Sequence, residues 1–257
     1  MAREPSLPIL FEDDRLVAVA KPAGLATIPG RGESDDVLHR LARQLGLPAT
    51  GKADPRLRLV HRLDKDTSGV LLLAKDIDAQ RHLSHQFQNN RVTKQYLALV
   101  HGRPSAAEGV IDAPLEIDPN DKKRMAVVKN AKRGKRAVTE WRVEEAYRFA
   151  ALLRVFPRTG KMHQIRVHLK SIGHPLLVDP LFNPPLPGRE PGVFLSQFKR
   201  GYISKKGEAE RPLIDRLTLH AYALTFEHPD GTTREVTCDP PKDFRAAVNS
   251  LGKFARA

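Results

Sequence analysis

The run HRLDKDTSGVLLLAKD, His61–Asp76, constrains the fold more than any other stretch. Val70 to Ala74 is uninterrupted apolar sequence with no polar alternation, which predicts a short strand buried on both faces. Arg62, Asp64, Lys65 and Asp66 crowd immediately before it. Charged side chains at the mouth of a buried strand are costly unless they are paired or working.

The rest of the pattern predicts alternating strands and helices. LPILFEDDRLVAVAKPAG reads as two strands around an Asp-Asp turn, closed by Lys21-Pro22-Ala23-Gly24. SDDVLHRLARQLG predicts an amphipathic helix capped by Ser34 or Asp35, with Val37, Leu38, Leu41 and Leu45 on one face and Gly46 as its stop. Asp76 or Asp78 caps a second helix presenting Ala79, Leu83 and Phe87. Val92–Val100 predicts a strand, and AVTEWRVEEAY with FAALLRVFP a pair of adjacent antiparallel strands. MHQIRVHLKSIG predicts a short helix starting near Lys161, between Gly160 and Gly173. Leu217–His228 predicts another strand, and KDFRAAVNSLGKF a closing helix. With no repeats and no clear linker, the expectation is one α+β domain over 1–257, built on a mixed, largely antiparallel sheet with flanking helices.

Composition narrows the partners. Forty-three Lys and Arg against 30 Asp and Glu leave a net charge of +13 on 257 residues, an excess that favours a polyanion such as RNA or DNA. The excess is uneven. Pro119–Arg136 holds eight basic residues against one acid, and a second basic cluster spans Lys199–Arg211. Both read as mobile loops able to grip phosphates. No stretch reaches the length of a membrane span, and MAREPSLPILFEDD lacks the layout of a signal peptide, so the expected compartment is the cytoplasm. The single Cys238 has no partner for a disulfide or a thiolate pair.

Each candidate residue has a plain structural reading beside its functional one. Asp64 suits a nucleophile or a general base, and equally a structural salt bridge. Asp66 is expected to cap the Thr67-Ser68-Gly69 turn rather than to pair with Asp64 as in a glycosidase. Gly160 ahead of a helix start, with Lys161 beside it, offers a phosphate site. Gln164, His163 and His168 more often serve as internal hydrogen-bonding groups. His163 and His168 are five apart, and no acid or Cys completes His82 and His85, so no metal site is expected. Tyr96, taken alone, reads as an ordinary half-buried tyrosine. Neither a phosphate-binding glycine loop nor a dinucleotide fingerprint occurs.

Together the segments resemble the RluA-type pseudouridine synthases. Four stretches carry the resemblance: LFEDDRLVAVAKPAGL, HRLDKDTSGVLLLAKD, RTGKMHQIRVHLKSIGHPLLVD and RLTLHAYALTFEHP. It implies a central catalytic cleft, no cofactor, and isomerisation of uridine to pseudouridine in a stem-loop of ribosomal or transfer RNA. It assigns Asp64 as the catalytic carboxylate, Tyr96 as the tyrosine packed on the flipped base, and Arg166 as the arginine paired with the aspartate. Arg62, Lys65, Lys161 and His163 fall to RNA binding, as do Lys132, Arg133, Lys135 and Arg136 of the first basic segment. Met162 departs from the family's usual polar residue. The chain reaches its first motif by about Leu7, leaving no room for an N-terminal RNA-binding domain, and a monomer is the default. The competing expectation is an RNA-binding protein of the same fold without catalysis.

Overall fold

The computed structural model describes residues 5–29, 35–128, 133–187, 190–204 and 208–256. The chain divides into two compact units, 1–94 with 221–239 and 95–220 with 240–257.

In the first unit, β1 (Ile9–Glu12) and β2 (Leu16–Lys21) form the expected hairpin. Its turn is fixed by Asp13, whose carboxylate accepts the N–H groups of Arg15 and Leu16 at 2.8 and 2.7 Å. Helix α1 (Val37–Leu45) starts later than expected. Ser34 lies outside the described residues, and Asp35 pairs with Arg40. Asp36 is therefore the cap, accepting from His39 N–H at 3.0 Å. The left-handed Gly46, φ +66°, ends the helix as the sequence predicts.

Strand β3 (Arg58–Leu59) and β2 both pair antiparallel with β4 (Ser68–Ala74). All seven residues of β4 are buried, as its apolar run requires. Val70, Leu72 and Ala74 join Ala79 and Leu83 of α2 (Ile77–Gln88) in one core. Asp76 caps α2 through Asp78 and Ala79 N–H at 2.9 and 2.8 Å, and its carboxylate also binds Arg15. That core is completed by Leu224 and Phe226 of β11 (Leu219–Glu227) and by Val236 of β12 (Thr233–Thr237), which pairs antiparallel with β11. Cys238 is buried in the same core, and burial pushes its thiol up to about 11. Gly69 has φ +122°, and a Cβ there would fall 2.1 Å from the Ala221 carbonyl oxygen, so only glycine lets β4 begin where it does.

The second unit is built on β5 (Thr93–His101), β10 (Ala150–Pro157), β9 (Val138–Ala146) and β6 (Glu108–Asp112), in that order and antiparallel throughout. Helix α3 (Gln164–Ser171) lays Ile165 and Leu169 on Ala98, Val100, Leu153 and Val155 of this sheet. Helix α4 (Lys242–Phe254) matches the predicted closing helix.

The first basic segment is not simply a mobile loop. Its residues 121–127 form strand β8 (Asp121–Val127), a hairpin partner of β7 (Leu115–Asp118). Met125 packs with Leu115, Ala137, Val167 and Phe182, while Lys122 and Lys123 face water. Its antiparallel ladder to β7, not an alternation of side chains, makes the segment a strand. Lys135 then exchanges two backbone hydrogen bonds with Leu115, at 2.8 and 2.9 Å, anchoring the end of the segment.

Candidate active site

Asp64 stands half-buried in the loop between β3 and β4, and the backbone around it is tied at every peptide from Leu63 to Lys65. Thr27 Oγ1 donates to Leu63 O at 2.9 Å and accepts from Leu63 N–H at 3.2 Å. Asp64 O accepts from Thr67 N–H at 3.1 Å. Lys65 O accepts from Gly24 N–H at 3.0 Å and from Lys21 Nζ at 2.7 Å. The Lys21 side chain is 1% exposed, and its ammonium also donates to the carbonyls of Pro22 and Leu25 at 2.9 and 2.6 Å. A buried ammonium is tolerable when all three of its donors are matched, and here three carbonyl oxygens match them. The KPAGLAT segment, which the sequence presents only as a turn signal, is thus the clamp on the aspartate loop.

Two neighbours frame this loop. His61 stacks on Phe87, centroids 4.6 Å apart, and its Nε2 accepts the Leu72 N–H at 2.9 Å. Burial, and then the charge of Lys94, push this imidazole down to about 3, so it is held neutral as an acceptor. Arg62, Lys65 and Asp66 are exposed. The N–H of Thr67 goes to the Asp64 carbonyl rather than to the Asp66 carboxylate, so the turn closes without the expected Asp66 cap.

Tyr96, Lys161, His163 and Arg166 belong to the second unit. Tyr96 lies on β5 opposite Val155 of β10 and packs, partly buried, on the cluster containing Ile165 and Leu169 of α3. Arg166, on the same helix, is 7% exposed. Its Nε and Nη2 donate to Asp179 Oδ2 and Oδ1 at 2.9 and 2.7 Å. Its guanidinium carbon lies 5.1 Å from the centre of the Phe182 ring. Asp179 Oδ1 also accepts the Leu181 and Phe182 N–H groups at 3.0 and 3.1 Å, so one carboxylate orders both the arginine and the ring beneath it. Asp179 closes the third of the four stretches yet carried no assigned role; its spacing of 13 from Arg166 gives no helical cue.

His163 precedes α3 with φ +54°, a left-handed backbone that a side chain with a Cβ adopts at a cost of about 1–3 kcal/mol. Its ring meets Phe182 edge-on at 5.6 Å. The helix therefore begins at Gln164 rather than near Lys161. Gln164 Oε1 accepts the Lys161 N–H at 3.0 Å, and its amide donates to Val138 O and Thr139 Oγ1 at 2.9 Å each. His168, fully buried, bonds Thr139 Oγ1 and Ala113 O at 2.9 Å each. Burial holds this imidazole neutral; Nε2 donates to the Ala113 carbonyl, so Nδ1 accepts the Thr139 hydroxyl. Gln164 and His168 are internal ties, as their residue types suggest. Met162 is exposed.

Of the basic RNA-binding candidates, Arg133 and Arg136 are exposed, within 4.0 Å of Glu116 and 3.8 Å of Asp112 respectively. Lys135 is exposed, and Lys132 lies outside the described residues. Among the described residues, no group of three or more His, Cys, Asp or Glu side chains could hold a metal ion, and no helix is long and apolar enough to cross a membrane.

The sequence profile of the RNA pseudouridylate synthase family matches residues 15–171, which include both the Asp64 loop and Arg166. Over 246 residues the chain is 38% identical to the dual-specificity RNA pseudouridine synthase RluA of Escherichia coli, covering 94% of this chain and 96% of that one. The chain belongs to the RluA-type RNA pseudouridine synthases. It is also 42% identical over 242 residues to the ribosomal large subunit pseudouridine synthase D of Nitrosomonas europaea, of which it spans 64%. Among solved structures, this pseudouridine synthase is similar to human RNA pseudouridylate synthase domain containing 4. The TM-score is 0.70 at 28% identity, over 95% of this chain and 93% of that one.

Proposed function

We propose that the protein isomerises specific uridines in a structured ribosomal or transfer RNA, as a monomer in the cytoplasm, with Asp64 as the catalytic carboxylate. The observation that carries the reading is the clamped loop. Thr27 and Lys21 hold the backbone on both sides of Asp64, which is the kind of preorganised support a reacting group needs. The Nitrosomonas relative is named as acting on the large ribosomal subunit, which supports ribosomal RNA as a candidate substrate, and the E. coli one is named as a dual-specificity RNA synthase, which fits more than one kind of RNA target.

In this reading a uridine leaves its stack and enters a pocket where Tyr96 packs on the base, returning about 1–3 kcal/mol of the unstacking cost. Asp64, as the anion, acts at the ribose or on a proton beside it while the N-glycosidic bond breaks. The freed uracil turns and rejoins through C5, which gives up its proton (the one tritium release reads) while N1 takes one up, so atoms and charge balance without hydrolysis or redox. Arg166, fixed by Asp179 and Phe182, contributes the permanent positive charge that favours the aspartate anion. Arg62, Lys65, Lys161 and His163 contact the RNA near the flipped nucleotide. Arg133, Lys135 and Arg136, with Lys132, hold phosphates further out.

The test is tritium release from RNA labelled at uridine C5. Wild-type protein releases tritium and Asp64→Ala does not, although it still binds the RNA. Release by the variant at the wild-type rate would remove Asp64 from the chemistry. RNA binding without release by either protein would favour the non-catalytic binder.

A further inference from the structure

At the start of the second basic cluster, five cations converge where the β9–β10 hairpin meets the end of α4. They are Arg148, Lys199, Arg200, Lys253 and Arg256, and they line a cavity of about 500 Å³ with Phe198 and Phe254. Among the described residues, none of the five lies within ion-pairing distance of a carboxylate. Several arginines elsewhere behave differently: Arg15, Arg58, Arg124, Arg154, Arg158 and Arg216 each hold an acid.

The cavity is built rather than incidental. Arg148 Nη2 donates to the carbonyls of Phe198 and Phe254 at 3.3 and 3.1 Å, tying its two walls together. Arg256 Nε donates to Gly252 O at 2.8 Å. Lys199 and Lys253 both place their ammonium groups against the single Phe254 ring, at 5.2 and 5.3 Å. Two like charges sharing one ring repel each other, and the ring offsets only part of that. An anion seated between them relieves the repulsion, and several anions at regular spacing would use all five cations. Partly exposed Phe254 adds aromatic surface beside the cations, the pairing that single-stranded nucleic acid uses, while Phe198 is buried in the wall.

We propose that this cavity is a second RNA anchor, binding the phosphodiester backbone of a strand that runs away from the flipped uridine. The inference rests on the RNA-modifying reading above. The β5–β10 ladder gives the scale: Tyr96 faces Val155, while His101 faces Ala150 beside the cavity, five pairs along. At about 3.4 Å per residue that is about 17 Å, the reach of about five nucleotides of stacked strand.

The test measures affinity for an unmodified transfer RNA transcript and for a twelve-nucleotide uridine-rich strand across a KCl series. Lys199→Ala/Arg200→Ala/Lys253→Ala/Arg256→Ala is compared with wild type and with Lys199→Arg/Lys253→Arg. Arg148 stays in place because it holds the walls, and thermal melting checks the fold. The quadruple variant is expected to bind the transcript about ten-fold or more weakly at moderate salt. Its log–log salt slope is expected to be shallower by about 2–3, and the arginine pair to keep the wild-type slope. An unchanged slope in the quadruple variant overturns the proposal. So does a change confined to inorganic phosphate or to polyglutamate, which would make the cavity a small-anion or acidic-peptide site. Tritium release is read separately: a wild-type protein inactive in that assay, but with the slope change intact, would sink the catalytic reading and still support the anchor.

Discussion

Arg166 and Asp179 form a two-point ion pair at 2.9 and 2.7 Å, with both side chains shut away from water. A pair in that setting does more for geometry than for stability, because its attraction mostly offsets desolvation. Removing one partner is a different matter. Asp179→Ala leaves a buried guanidinium and two capless N–H groups, and is expected to cost about 3–5 kcal/mol in urea unfolding. Asp179→Asn keeps one acceptor and folds better, yet its turnover in single-turnover tritium release is expected to fall about 100-fold, with RNA affinity less affected. Equal loss in affinity and turnover would argue against a positioning role.

The aspartate loop should fail through its clamp before it fails through its carboxylate. Lys21→Met removes the ammonium from the Pro22 and Leu25 carbonyls and leaves Lys65 O with Gly24 N–H alone, and is expected to cost at least about 2 kcal/mol of stability. Thr27→Val keeps the shape and loses both Leu63 bonds, at about 1–3 kcal/mol. In either variant the turnover of bound RNA is expected to drop more than its binding, which rapid-mixing assays at saturating RNA separate.

His163 allows backbone strain to be measured apart from the ring. His163→Ala and His163→Gly both lose the edge contact with Phe182, and they differ only in tolerance for φ +54°. The glycine variant is expected to melt as the more stable of the two, by about 1 kcal/mol. Both are expected to lose RNA affinity. An alanine variant as stable as the glycine one would mean that the backbone relaxes there.

The exposed cations of the first basic segment predict a salt effect. Replacing Arg133, Lys135 and Arg136 with alanine is expected to weaken RNA binding and flatten its salt dependence, with rates on bound RNA largely spared. Their acidic neighbours Glu116 and Asp112 already soften part of that charge, so the loss per residue should be smaller than at an unopposed cation. An unchanged slope would take them out of the interface.

Acid should unfold the protein earlier than its carboxylates alone would require. His61 is held down at about 3 and His168 is lowered as well, each chiefly by burial. Their unfolded counterparts take up protons near pH 6.5, so below that pH the unfolded state binds more protons and is favoured. Stability is therefore full above about pH 7. It is expected to fall as pH drops from 6.5 toward 4.5, by at most about 1.4 kcal/mol per pH unit for each histidine. Urea midpoints at pH 7, 6 and 5 check this, and a flat profile would mean that the two rings are not shielded.

The elements with strong patterns were legible in the sequence: the buried run of β4, the Asp76 cap, the β9–β10 pair and α4. Weakly patterned ones were not. Strand β6 buries only Ile111 and leaves Val110 65% exposed, so neither apolar alternation nor a turn signal announces it. The β7–β8 hairpin was hidden by lysines on its wet face. At the candidate site, it was the resemblance to the family, not residue type or spacing, that assigned Asp64, Tyr96 and Arg166; taken alone, Asp64 read equally as a salt bridge and Tyr96 as an ordinary tyrosine. Lys21, Thr27 and Asp179 were missed because their partners lie 44, 36 and 13 positions away, a distance at which no local rule speaks.

Leu63, Asp64 and Lys65 have their carbonyls tied to Thr27, Thr67 and Lys21, so the main chain there has no slack to give. A substrate cannot draw that carboxylate toward itself by bending the loop. On the proposed role of Asp64, the nucleotide then has to travel the whole way, and the ease with which the RNA opens becomes part of what selects a uridine.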